Sequence, residues 1–431
     1  MIRHLNELEQ LFFAMNSKMI VRCRLKLENH KINKDIFYNA YQTMAWKHPM
    51  LRVNVFLDEQ KRPYWKEIKN YMPDFTVTEA KIEPYLEIPN ELLSKYYIKN
   101  GVDGRLVNID FLVWEDEAYI LLEGCHTIMD GRCVNLIFDE LVRVYVEFYK
   151  GKLYDISDQK NKPYPFPDSP IYPQQLPQDK RKKLDEIIQS KKEHRDNYTY
   201  KLPRPLQETN NLTKILKEGS AENLAQLKAY CKSNKISIGS CLYAASFASV
   251  ALMARDYKTN ERKDTISITA LVPLEQTQIL YSKYNDIIVM NLELFDFNIS
   301  VSYSSTLLEL ADQISKKLKA ESVNYGLNYL SMINYSSKNS STPYDVIINL
   351  VPSISEKEYS LSELEKLQIQ CIYISFQKKY TSVITNSPNL IDIIFKDQIL
   401  FSPTYPKSNE KIGLQLTDYN FELTENFPKY A

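Results

Sequence analysis

His126 and Asp130 stand four residues apart in Ile120-Leu121-Leu122-Glu123-Gly124-Cys125-His126-Thr127-Ile128-Met129-Asp130-Gly131-Arg132. An imidazole titrates near neutrality, so a histidine can take and return a proton under ordinary conditions. A carboxylate four residues later is in range to orient that ring, or to hold the turn that orients it. The stretch reads as a strand ending on the histidine, a turn through Asp130 and Gly131, and a helix. Val134, Ile137, Phe138, Leu141, Tyr145 and Phe148 recur there at helical spacing, and Gly151 is placed to cap the end. A strand end fixes the backbone of the histidine while its ring reaches a cleft.

Other chemistries fit less well. Consecutive strand residues point to opposite faces, so Cys125 and His126 cannot form a thiolate–imidazole pair if both lie in the strand. Cys125 reads as small apolar filler. His126 and Asp130 supply at most two metal ligands, and His4, His30, His48 and His194 cluster with nothing in sequence, so no metal site is expected. G-x-S-x-G, P-loop and G-x-G-x-x-G patterns are absent. What remains is one histidine as general base, a role worth roughly 10²–10⁴-fold in rate. One base suffices when the electrophile arrives activated, as in an acyl thioester, provided a donor meets the tetrahedral oxyanion. The spacing alone leaves a purely structural histidine equally open.

The elements that would position these residues follow from periodicity. Asn6-Glu7-Leu8-Glu9 resembles a capping box before a helix with Leu8, Leu11, Phe12 and Met15 on one face. Met19 to Glu28 alternates, which predicts a half-buried strand. A helix from about Asn33 must end near His48, because Pro49 follows. Leu51, Val53, Val55 and Leu57 alternate next, with Arg52 turned away. Val107–Glu115 and Ala118–Cys125 predict a hairpin across Asp116-Glu117, and Asp103-Gly104-Arg105 reads as a plain turn. Further on, helices are expected at Glu222–Lys232, Ser237–Asp256 and Thr306–Lys319. Strands are expected at Thr265–Leu271, Ile287–Leu294, Val346–Val351, Gln370–Phe376, Leu390–Phe395 and Ile399–Phe401.

A chain of 431 residues exceeds one ordinary core, so two domains of about 150–200 residues are expected. The boundaries read as a first lobe at 1–155, a proline-rich and charged connection at 156–210, and a second lobe at 211–431. Arg181 to Arg195 in the connection reads as a solvated helix. The plain class is α/β (α+β) with mixed sheets. The 54 basic and 54 acidic residues cancel, which gives no support to nucleic acid as a partner. Six cysteines are scattered without a C-x-x-C pair, which fits free thiols in a reducing compartment. Glu7 and Glu9 interrupt the first apolar residues, and no window approaches about 18 uninterrupted apolar residues, so a cytoplasmic chain without a transmembrane segment is expected.

His126-Thr-Ile-Met-Asp130-Gly131, at a strand–helix junction about 30% of the way along the chain, resembles the H-x-x-x-D-G motif of the chloramphenicol acetyltransferase-like superfamily. Alcohol acetyltransferases, polyketide-associated acyltransferases, plant-type acyltransferases and condensation domains are its two-lobed branches. His48-Pro49-Met50-Leu51-Arg52 is similar to the H-x-x-L-R stretch of the same family, and the layout agrees over nearly the whole chain.

The resemblance implies two lobes with an active-site tunnel between them. His126 would be the general base. Asp130 would be structural, paired with Arg52, and Gly131 would let the helix start close to the strand. Asn349 would be the possible oxyanion stabiliser. Acyl-CoA would be a cosubstrate rather than a tightly bound cofactor, and a small alcohol or amine the acceptor. Cys125 stands where condensation domains carry a second histidine, and the plant-type D-F-G-W-G is absent; both departures lean towards stand-alone acyltransferases. No carrier-protein segment is expected in the chain. A free-standing condensation-type enzyme drawing its donor from an acyl or peptidyl carrier protein is the first alternative. A catalytically silent binding protein of the same fold is the second.

Overall fold

A computed structural model of the chain describes residues 2–5, 7–14, 18–28, 31–68, 71, 77–79, 106–115, 117–152, 177–196, 202, 212–214, 217–257, 264–275, 288, 290, 292–322, 344–354, 358–377, 389–395, 398–401, 404–406 and 410–431. The chain forms two compact units. Unit 1 comprises Met1–Ser169, Gln276–Asn291 and Ile354–Lys379; unit 2 comprises Pro170–Glu275, Leu292–Ser353 and Tyr380–Ala431.

The chain begins with α1 (Glu7–Ala14), β1 (Lys18–Glu28), α2 (Lys34–Lys47), a 3₁₀ turn (Pro49–Arg52), β2 (Val53–Leu57) and β3 (Pro63–Glu67). Then come β4 (Val77–Glu79), β5 (Val107–Trp114), β6 (Glu117–Cys125) and α3 (Gly131–Tyr149). In unit 2 follow α4 (Gln178–Asp196), β7 (Leu212–Lys214), β8 (Lys217–Glu218), α5 (Ala221–Asn234) and α6 (Ile238–Asp256). After β9 (Thr265–Glu275), β10 (Leu292–Ser302), α7 (Leu307–Ser322) and β11 (Val346–Ile354), β12 (Glu358–Ser360) and β13 (Lys366–Gln377) return to unit 1. The last elements are β14 (Asn389–Phe395), β15 (Gln398–Phe401), β16 (Thr404–Pro406), α8 (Glu410–Glu425) and α9 (Phe427–Tyr430). The Asp103-Gly104-Arg105 turn and the Asn6 end of the capping box lie outside the described residues.

The unit 1 sheet runs β12-β13-β1-β6-β5-β4. Its registers bring apolar residues into line: Leu25 faces Ile369 on one side and Ala118 on the other. Met19, Val21, Cys23, Leu25 and Leu27 are all buried, as alternation in β1 predicts. Helix α2 packs on this sheet and on α3. Phe37 meets Phe111 edge-on at 4.4 Å and lies 6.2 Å from Tyr145, whose hydroxyl accepts the Asn33 N–H at 3.0 Å. Asn33 caps α2 through its side chain, and His48 closes the helix before Pro49.

Two expectations change. Strand β13, read as part of a contiguous second lobe, completes the unit 1 sheet beside β1, because matched apolar alternation decides pairing whatever the sequence separation. The strand expected at Ile287–Leu294 lies at Leu292–Ser302, where Phe295, Phe297, Ile299 and Val301 alternate into the core against β9. Helix α6 lies where it is expected; it is long and apolar enough to cross a membrane, and most of its residues are buried among the core side chains of unit 2.

The unit 2 sheet runs β10-β9-β11-β14-β15-β8, with β16 pairing β14 and β7. Helix α6 crosses its core, where Phe247 lies 5.9 Å from Phe297. Glu425 Oε2 on α8 accepts from the Ser220 N–H at 2.8 Å and from the Asn223 side-chain amide at 2.9 Å, so a remote helix helps cap α5.

Candidate active site

Strand β6 is central, antiparallel to both β1 and β5, so its backbone is held on both sides. The β5–β6 hairpin turns tightly: Trp114 pairs with Glu117, and Glu115 takes φ 51. At the other end Cys125 donates its N–H to Leu106 O at 2.8 Å, and the Ile128 N–H returns to Cys125 O at 3.2 Å. His126 therefore sits in the first turn position past the strand. Cys125 is buried, and its sulfur is hydrogen-bonded to Thr127 Oγ1 at 3.1 Å, so it is not simply the apolar filler expected.

The turn folds inward. Ile128 and Met129 are fully buried, and the Met129 thioether lies over Gly124, where a Cβ would come 2.5 Å from its sulfur. At Gly131 a Cβ would meet nothing within 4 Å. Gly131 therefore shows no close packing at its Cβ position, whereas Gly124, in the strand before it, lies under the Met129 side chain.

Asp130 is the N-cap of α3. Its backbone is extended, and its Oδ1 accepts the Cys133 N–H at 3.0 Å, satisfying one of the helix's free donors. The helix ends as its sequence predicts, with Gly151 at φ 72 and its N–H on Phe148 O. The imidazole of His126 lies parallel to the Phe12 ring, with centroids 4.3 Å apart and planes 10° apart. Phe12 comes from α1, which Glu9 fastens: its carboxylate takes Arg3 in a two-pronged ion pair and accepts from Trp65 Nε1 at 3.3 Å. Glu9 thus ties α1 to Arg3 and Trp65.

The expected Arg52–Asp130 pair does not form among the described residues. Arg52 Nε donates to Ala45 O at 2.9 Å, its guanidinium lies 4.6 Å from the Trp46 ring centre, and it pairs with Glu67. The reason is local. Arg52 ends the 3₁₀ turn directly after α2, next to the unsatisfied carbonyls of that helix, and the Val53–Glu67 register sets Glu67 alongside.

A second cluster escapes sequence reasoning. Glu140 on α3 is buried and accepts from His48 Nε2 at 2.5 Å, from Arg143 at 3.1 Å and from Lys47. Burial pushes its carboxyl up, but the hydrogen bonds and charges of His48 and Lys47 outweigh this and hold it down at about 2. The motif histidine before Pro49 thus ties α2 to α3. The only local signal for Glu140 is a carboxylate on the apolar face of a helix.

Asn349 lies in β11 of unit 2. Val346 and Ile348 enter the core there, and Asn349 shares the opposite face with Ile347 and is half-buried. Among the described residues, no three His, Cys, Asp or Glu side chains gather to hold a metal ion. What unit 1 assembles is a nearly buried imidazole on a capped strand–helix turn, with an aromatic ring against one face. Such a ring can move one proton.

Comparison with solved structures places this fold. The first condensation domain of the calcium-dependent antibiotic synthetase, in complex with a substrate analogue, superposes with a TM-score of 0.74 at 9% identity, covering 99% of this chain and 98% of that one. The trichothecene 15-O-acetyltransferase TRI3 from Fusarium sporotrichioides gives 0.73 at 12% identity, covering 98% and 95%. Polyketide synthase associated protein 5 from Mycobacterium tuberculosis gives 0.64 at 12%, covering 99% and 98%. The chain has the chloramphenicol acetyltransferase-like fold of condensation domains and acyltransferases. No family model and no curated protein sequence matches.

Proposed function

We propose that this chain is an acyltransferase that moves an acyl group from a thioester, acyl-CoA, to an alcohol, with an amine as the lesser acceptor. The observation that carries the reading is His126 on the turn between β6 and the Asp130-capped α3, with Phe12 packed on its ring. His126 takes the proton of the acceptor hydroxyl as its oxygen attacks the thioester carbonyl. The tetrahedral oxyanion then collapses, the C–S bond breaks, and the thiolate leaves with the proton held by the imidazolium. No covalent enzyme intermediate is needed, and coenzyme A is a cosubstrate. Asn349 is the candidate hydrogen-bond donor to the oxyanion, a role typically worth 10²–10³ in rate.

The test is release of free thiol from a panel of acyl-CoA thioesters with mixed alcohols and amines. Acceptor-dependent release that falls about 10²–10⁴-fold in His126→Ala supports the mechanism. Undiminished release in that variant overturns it. The second reading, transfer from a carrier-protein-bound donor, draws support from the condensation domains among the structural neighbours. Turnover with acyl carrier protein but not with acyl-CoA would decide for it.

A further inference from the structure

Two cysteines outside the candidate site lie together in unit 2. Cys231 is in the last turn of α5 and Cys241 in the first turns of α6, and their sulfurs are 3.4 Å apart. Both are free thiols, and the short connection between the helices is fastened at each end. Lys235 closes α5 with φ 56, the Ile236 N–H returns to Cys231 O at 3.1 Å, and Ser237 Oγ caps α6 by accepting the Ser240 N–H at 3.0 Å. The sulfurs are therefore held by the turn rather than brought close by mobile side chains. An S–S bond is about 2.05 Å, so bonding needs an approach of roughly 1.4 Å.

We propose that Cys231 and Cys241 form a peroxide-sensitive dithiol that closes to an intramolecular disulfide. Cys231 is the residue that meets the oxidant, because it keeps 4% exposure where Cys241 has none. The hydrogen bond from the Cys241 thiol also pulls the Cys231 thiol down against its burial, which favours the nucleophilic thiolate there. The Cys231 sulfur attacks a peroxide oxygen; the O–O bond breaks, hydroxide leaves and takes the Cys231 proton as water, and a sulfenic acid remains. The Cys241 sulfur then attacks that sulfur. An S–S bond forms, the S–O bond breaks, and a second water leaves with the Cys241 proton. Two thiols are oxidised and one hydrogen peroxide is reduced to two waters.

The experiment is peptide mapping of the intact protein under non-reducing conditions after hydrogen peroxide treatment. The expected result is a Cys231–Cys241 cross-linked peptide that dithiothreitol reverses. In Cys241→Ser, dimedone should trap a sulfenic acid at Cys231. Sulfinic acid at Cys231 with no cross-link in the native protein would overturn the proposal. So would a cross-link joining either residue to another cysteine, or dimedone labelling of Cys241 in Cys231→Ser at the rate of Cys231 in Cys241→Ser. Melting adds a readout independent of any variant: the oxidised protein should melt higher than the reduced one, because the closed loop restricts the unfolded chain.

Discussion

Phe12 stacks on His126 with the rings 10° from parallel and their centroids 4.3 Å apart. A flat apolar face limits how far the imidazole can rotate, and the negative face of the phenyl ring favours the imidazolium formed when a proton is taken. Phe12→Leu keeps apolar cover but removes the ring. On the acyl-transfer reading, kcat should drop roughly 2- to 10-fold with little change in KM, the range expected for an aromatic pair. Phe12→Tyr should recover most of it. An upfield ring-current shift on the His126 proton signals, lost in Phe12→Leu, checks the stack without any substrate.

Asp130 acts on α3 through its cap. Asp130→Ala should cost about 0.5–2 kcal/mol in denaturant unfolding. Asn caps as well as Asp, so Asp130→Asn should unfold near the native midpoint. If that variant is as unstable as Asp130→Ala, the cap is not what the carboxylate provides.

Arg52 braces the end of α2 against β3 rather than the Asp130 turn. Arg52→Ala leaves the Ala45 carbonyl without its donor, which should cost about 1–3 kcal/mol of stability. Measured on the folded fraction, kcat should stay near native. A kcat loss as large as that of His126→Ala would return Arg52 to the site.

Glu140 predicts an acid transition. Its carboxyl sits at about 2 in the folded chain against 4.5 ordinarily. As pH falls below 4.5 the unfolded chain takes up a proton that the folded chain refuses. Its contribution is therefore whole above pH 4.5 and lost as pH falls through 2. Glu140→Gln should lower the melting temperature at neutral pH and flatten its decline between those values. An equally steep decline in the variant would remove Glu140 from the acid response.

Much of unit 1 was legible because its signals are local. Asn33 and Asp130 are recognisable caps, β1 and the β5–β6 hairpin alternate, and the residues of α3 recur at helical spacing up to Gly151. What was not legible depends on partners distant in sequence or on exact distances. The pairing of Arg52 with Asp130 was what the family resemblance implied, while its register beside Glu67 appears only once β2 pairs β3. Gly131 sits in the motif and drew the close-packing role, yet a Cβ there would have open space, and the close contact is Met129 on Gly124. Nothing periodic marks His48 and Glu140 as partners across 92 positions.

Strand β1 lies between β6 and β13, and β13 is made more than 300 residues after it. Without β13, β1 would pair with β6 alone and keep one bare row of amides and carbonyls. That edge is long, β-rich and open until Lys366–Gln377 pairs with it. A fragment ending at residue 155 would leave that edge unpaired and is expected to aggregate in a light-scattering assay where the full chain does not. Strand β1 thus has its sheet completed by residues more than 300 positions further along the chain.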